Sequence, residues 1–119
     1  MVKIKKNLIG FFGGSFDPPH VGHLKISIRS IKKLKLDKIY WIIAKKNPFK
    51  KKPFFKLNER IRKSKRLAKN NKKIEVKFLD KIVKSSRTIN ILKYLIKKNK
   101  NSKFYVIIGS DNLINFHKW

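Results

Sequence analysis

Residues 13–23 read Gly-Gly-Ser-Phe-Asp-Pro-Pro-His-Val-Gly-His, and the segments on either side of this stretch decide the fold. Before it, Asn7 to Phe12 is a short, mostly apolar run that predicts a strand ending in a glycine turn at Gly13-Gly14. After it, Val21 to Leu34 places Leu24, Ile28, Ile31 and Leu34 on one stripe with lysines opposite, which predicts an amphipathic helix. A strand, a glycine-rich turn and a helix in that order open a βαβ unit.

The same alternation continues outward. Lys38–Ile43 (KIYWII) is a nearly continuous apolar run, the pattern of a strand buried on both faces in a parallel sheet. Ala44–Lys56 is a basic loop holding Pro48 and Pro53, and Asn58 is placed to cap a helix from Glu59 to about Lys69. Ile74–Leu79 predicts a third strand. Thr88–Lys98 predicts a helix with Ile91, Leu92, Leu95 and Ile96 on its apolar face, and Phe104–Ile108 a fourth strand ending at Gly109. The fold class expected is therefore α/β, a Rossmann-like doubly wound parallel sheet, in a single domain over residues 1–119. Right-handed crossovers put all strand-to-helix loops at the carboxyl edge of such a sheet. Three of these loops, Gly13–His23, Lys45–Lys56 and Gly109–Trp119, hold the unusual residues and so converge on one cleft.

Composition narrows the function. The chain has no cysteine, which excludes disulfides and thiolate metal sites and fits a cytoplasmic location. No apolar stretch approaches the roughly 18 residues of a membrane span, and the apolar run near the N-terminus is broken by Gly10, Gly13 and Gly14, so neither a membrane partner nor a signal peptide is expected. The net charge of +27 is of the kind that accompanies polyanion binding. Only Arg29, Arg60, Arg62, Arg66 and Arg87 are arginine among the 33 basic residues, however. Lysine, isoleucine and asparagine, all abundant here, have codons written almost wholly in A and T. Base-composition drift with a solvated surface would produce this bias without selection for binding, so a nucleic-acid partner is not expected.

The chemistry lies in residues 13–23. The two glycines let the backbone approach a ligand, and Pro18 and Pro19 stiffen the path into the helix. His20 and His23 stand three apart at the helix start, so both imidazoles can face one way. A helix N-terminus already offers unpaired N–H groups and positive dipole charge, and two imidazole donors added there suit a polyphosphate. Gly22 removes a side chain from the space between them. As zinc ligands the pair lacks a nearby third His or Cys, and Asp17 could simply cap the helix.

As a whole, GGSFDPPHVGH resembles the signature of the HxGH nucleotidyltransferases. Lys46-Asn47-Pro48-Phe49-Lys50 resembles the loop after the second strand in the nicotinate-nucleotide adenylyltransferase family, and Arg87-Thr88-Ile89-Asn90 its Tyr-Thr-x-Asp segment, with Arg87 and Asn90 departing from it. Ile107-Ile108-Gly109-Ser110-Asp111-Asn112-Leu113, followed by Phe116-His117-Lys118-Trp119, is similar to that family's IGxDxL…FxxW stretch. The resemblance implies adenylyl transfer from ATP, used with Mg²⁺, to nicotinate mononucleotide, giving deamido-NAD and pyrophosphate. It assigns catalysis to His20 and His23. ATP binding would fall to Gly13, Gly14, Ser15, Phe16, His20, His23, Gly109 and Asp111, and nicotinate mononucleotide binding to Asn47, Thr88 and Trp119. No side-chain metal site is implied.

Members of that family continue past the position of Trp119 into a Ser/Thr-rich motif ending in Ile-Arg, so the sheet is expected to be incomplete at its C-terminus. A separate C-terminal chain is a possible partner, and the 119 residues alone are expected to have little activity. Two rival readings are a small basic RNA- or DNA-binding protein, using Phe49, Phe54 and Phe55 among the lysines of 45–56, and an inactive remnant.

Overall fold

The computed structural model describes residues 6–45, 52–85 and 87–109. Its elements run β1 (Asn7–Gly14), α1 (Val21–Leu34), β2 (Lys38–Ile43), α2 (Leu57–Ala68), β3 (Ile74–Lys77), α3 (Asp80–Val83), α4 (Thr88–Lys98) and β4 (Ser102–Ile107). The four strands form one sheet in the order β3-β2-β1-β4, and every neighbouring pair is parallel. The doubly wound α/β architecture expected from the alternation of elements is what the chain adopts.

Strand periodicity explains the two cores. Ile9 and Phe11 of β1 and Tyr40 and Ile42 of β2 face one side, where Ile91 and Leu95 of α4 and Leu79 cover them. Phe12, Ile39, Trp41 and Ile43 face the other side, under Leu24 and Ile31 of α1 and Ile61, Leu67 and Ala68 of α2. KIYWII is thus buried on both faces, as a central parallel strand must be. Gly10 lets α1's trailing turn close on β1: a Cβ there would lie 2.8 Å from Ile39 Cγ1 and 2.9 Å from Leu36 Cδ1.

Several local expectations are corrected. Gly13 and Gly14 do not form a turn. They extend β1, opposite Ile42 and Ile43, and the ladder continues in a 2.8 Å bond from Ala44 N–H to Gly14 O. The sharp change of direction falls instead on Phe16, whose φ of 51° lies in the left-handed region. Asn58 does not cap α2, which begins at Leu57, two residues earlier than expected, after Lys56 and without a side-chain cap hydrogen bond. β3 stops at Lys77, because Leu79 leads into the short helix α3, which the apolar pattern did not reveal. β4 starts at Ser102 and ends at Ile107, two residues early at its start and one at its end, because it pairs with Asn7 from its first residue. On α1, Ile28 and Leu34 are substantially exposed, and the fully buried member of that face is Ser27. On α4, Ile96 is half exposed while Ile91 and Leu95 carry the packing.

Candidate functional site

The carboxyl ends of β1 and β2 bring their following loops together, and the β1–α1 loop is held in an unusual way. His20 is the N-cap of α1: its Nδ1 accepts the Gly22 N–H at 3.0 Å, while Nδ1 of His23 accepts the His20 N–H at 3.0 Å. This is a capping box built from two imidazoles. Because each Nδ1 accepts, the proton of each neutral ring resides on Nε2. The pair therefore fixes its own tautomers, with the ring donors on the side away from the helix backbone. Gly22 makes this possible, since a Cβ there would sit 2.7 Å from His20 Cε1.

Behind the histidines runs an aromatic stack. His20 and His23 have ring centroids 4.0 Å apart, His23 and Phe16 4.6 Å, and Phe16 and Trp41 5.2 Å. The Phe16 ring is buried in this packing, so what Phe16 can offer a ligand is its backbone. The left-handed φ at Phe16 is what turns its ring back beneath His23. Trp41 is fixed in turn by Ser27, whose Oγ accepts the indole N–H at 2.8 Å and donates to His23 O at 2.8 Å. The position of the cleft histidines is thus tied to the deepest part of the core.

The charged groups nearest this edge support loops. Both Asp17 oxygens accept backbone N–H groups, from Phe54 at 2.6 Å and Phe55 at 2.7 Å, so Asp17 caps the approach to α2 and not that to α1. The Arg60 guanidinium, almost wholly buried, donates to the carbonyls of Phe55, Ser15, Ala44 and Lys45 at 2.7–3.1 Å. Burial pushes its pKa down from the ordinary arginine value, and Asp17 and Asp80 oppose that shift. Asp80 Oδ2 accepts the Lys45 N–H at 3.0 Å, and its buried Oδ1 has no hydrogen-bond partner among the described residues. Burial accordingly raises the Asp80 carboxyl above the usual carboxylate range, against the opposing effects of the Lys45 N–H, the Lys45 charge and Arg60.

Of the residues singled out from sequence, Gly13, Gly14, Ser15, Phe16, His20 and His23 lie together at the end of β1. Thr88, the first residue of α4, is brought against them, with its Cγ2 3.6 Å from where a Cβ on Gly13 would be. Gly109 follows β4 two residues after Ile107, which pairs with Phe12, and so lies toward the same edge. Asn47, Asp111 and Trp119 fall outside the described residues. Sequence reasoning missed Arg60, Asp80 and Ser27. For Arg60 a signal existed: it is one of five arginines in a chain that otherwise writes its cations as lysine.

Among the described residues, no three His, Cys, Asp or Glu side chains converge where a metal ion could be held. No described helix is long and apolar enough to cross a membrane.

The chain is similar to known proteins over most of its length. Residues 11–119 match the sequence profile of the family described as cytidylyltransferase-like. The chain is 48% identical over 115 residues, 97% of its length, to the "probable nicotinate-nucleotide adenylyltransferase" of Pelagibacter ubique, and 36% identical over 112 residues to the protein of the same name from Rhizobium meliloti. It spans 63% and 59% of the length of these two curated relatives. Its fold is similar to that of the Plasmodium falciparum nicotinic acid mononucleotide adenylyltransferase solved in complex with NaAD, with a TM-score of 0.76 at 22% identity, covering 95% of this chain and 57% of that one.

Proposed function

The chain belongs to the cytidylyltransferase-like family, and from that premise we propose that its cleft binds ATP for adenylyl transfer to nicotinate mononucleotide, a cytoplasmic step that forms deamido-NAD and pyrophosphate. One observation carries the reading: two histidines with their Nδ1 atoms engaged at the N-terminus of α1, beside the Gly13-Gly14 end of β1. The names of the most similar curated relatives support the choice of reaction.

The chemistry asks for positioning and charge stabilisation more than for covalent work by the protein. A phosphate oxygen of nicotinate mononucleotide attacks the α-phosphorus of ATP, the bond from that phosphorus to the bridging oxygen breaks, and pyrophosphate leaves with the electron pair. The nucleophile is already an anion, so no general base is required. Nε2–H donors from His20 and His23 and the positive end of the α1 dipole face charge that builds on phosphate oxygens. Gly13 and Gly14 allow the nucleotide close to the strand end, with Ser15 and Phe16 contributing backbone. Gly109 and Asp111 hold the adenosine end, and Asn47, Thr88 and Trp119 the nicotinate mononucleotide, Trp119 by stacking. Magnesium would enter this site with ATP, since among the described residues no group of three His, Cys, Asp or Glu side chains is placed to hold it. Its contribution there is neutralisation of phosphate charge.

Calorimetric titration of the folded chain with Mg·ATP tests the reading. Saturable binding that weakens when His20 or His23 is replaced by Ala is expected. No binding by a folded chain would refute it. In a chain extended to the length of the relatives, kcat/KM should favour nicotinate mononucleotide over its amide, and equal or better turnover of the amide would overturn the choice of acceptor.

A further inference from the structure

The described ends of the β2–α2 loop are fastened at three points. On leaving β2, Ala44 and Lys45 give their carbonyls to Arg60, and the Lys45 N–H goes to Asp80. On return, the Phe54 and Phe55 N–H groups go to Asp17 and the Phe55 carbonyl goes to Arg60. The same guanidinium nitrogen that holds Ala44 also holds Ser15, on the β1–α1 loop, at 2.9 Å. Arg60 comes from α2, outside both strands that carry the cleft. From there it hydrogen-bonds the loops after β1 and β2 together, which Asp17 also joins from within the first of them.

We propose that Arg60 is a positioning residue that locks the two substrate loops into one binding geometry, through the fork of hydrogen bonds that joins Ser15 to Ala44 and Lys45. This rests on the reading of the cleft as a nucleotide site. Three consequences follow from the chemistry of the group. The fork is planar and presents five N–H donors, which lysine cannot reproduce from a single ammonium point, so Arg60→Lys retains the charge and loses the lock. Arg60 is almost wholly buried, and four of its five N–H donors go to carbonyls, so its effect on ligands passes through Ser15 and Lys45. Loosening it misplaces the phosphate donors beside Ser15 and, by way of Lys45, the start of the loop that holds Asn47, so affinity for both substrates falls together.

The experiment uses the full 119-residue chain in three forms: unaltered, Arg60→Lys and Arg60→Ala. Backbone amide spectra report the loops without ligand, and calorimetry reports Mg·ATP affinity. In both variants the amides of Phe16, Ala44 and Lys45 should shift while those of β1 and β2 stay native. Mg·ATP affinity should fall about 10- to 100-fold, the scale of losing a hydrogen bond to a charged phosphate. Millimolar methylguanidinium, which fits the space vacated in Arg60→Ala, should return both the amide positions and part of the affinity.

Unaltered affinity in a folded Arg60→Lys chain would overturn the proposal, as would loop amides that stay in place. If both variants simply unfold, Arg60 serves global stability, and the proposal is likewise overturned. Failure of the unaltered chain to bind Mg·ATP removes the nucleotide reading instead, and the amide shifts and their rescue by methylguanidinium still decide whether Arg60 locks the loops.

Discussion

His23 accepts the backbone N–H of His20 through Nδ1 at 3.0 Å, and the two rings lie 4.0 Å apart between centroids, so each histidine helps to place the other. In the proposed site, capping and ligand binding therefore fall to the same side chains. They can be separated by choice of substitution. His20→Ala removes the acceptor for the Gly22 N–H and should cost about 0.5–2 kcal/mol of stability, the usual loss of an N-cap. His20→Asn keeps a good cap and should recover most of that loss. Neither variant retains an imidazole Nε2–H, so both should bind Mg·ATP more weakly by about 1–3 kcal/mol. Urea unfolding and calorimetry on the same samples test this, and recovery of ATP affinity by Asn would reduce His20 to a cap.

Gly22 poses the complementary test. Alanine favours a helix over glycine by about 0.8–1.0 kcal/mol, so by propensity alone Gly22→Ala should stabilise α1. The new Cβ would lie 2.7 Å from Cε1 and 2.8 Å from Nδ1 of His20, forcing the ring to swing. The expected outcome is little net change in unfolding midpoint together with a clear loss of Mg·ATP affinity. An unchanged affinity would mean that the His20 ring position does not matter to the ligand.

Ser27 links the helix to the core through Trp41. Ser27→Ala would leave the buried indole N–H without its acceptor, a loss of about 1–3 kcal/mol in denaturant unfolding. A smaller effect than about 0.5 kcal/mol, the low end for an ordinary intramolecular hydrogen bond, would show that water or a shift of the ring replaces the bond.

Ser27 also shows what kind of information a sequence holds here. Periodicity places the helices at Val21–Leu34 and Thr88–Lys98 and the strand at Lys38–Ile43 at the bounds the structure gives them, because burial of one stripe or of both faces leaves its mark on every turn or every second residue. The histidine motif is legible as well, since its residue types are rare and its position between a strand and a helix is local. A serine within an apolar stripe reads as a surface interruption, and only the approach of Trp41 from another strand makes it a core residue. The left-handed backbone at Phe16 is hidden for a related reason: glycines next to it look like the natural turn, yet the parallel ladder with β2 keeps them extended. Apart from the Phe55 carbonyl, Arg60 and Asp80 act on carbonyls and N–H groups 15 to 45 positions away, which the local sequence pattern does not announce.

Asp80 gives the last prediction, which concerns pH. Its buried carboxyl has one oxygen bonded to the Lys45 N–H and one without a partner among the described residues, and burial raises its pKa above the unfolded value. A group whose pKa is raised by folding binds its proton more tightly in the folded chain. Its contribution to stability is then fully present below the unfolded value of about 3.9 and is lost as pH rises through the raised folded value. Asp80→Asn keeps an acceptor for the Lys45 N–H and has no charge to bury. The variant should therefore match the unaltered chain in stability near the acid end of its folded range and exceed it as pH rises toward neutrality. The difference between the two chains isolates Asp80 from the other carboxylates, whose titration is common to both. Urea unfolding at several pH values from about 4 to 7 supplies the measurement. A stability difference that is flat over this range, or that favours the unaltered chain increasingly toward neutral pH, would show that Arg60 and Lys45 hold the Asp80 charge more strongly than burial opposes it.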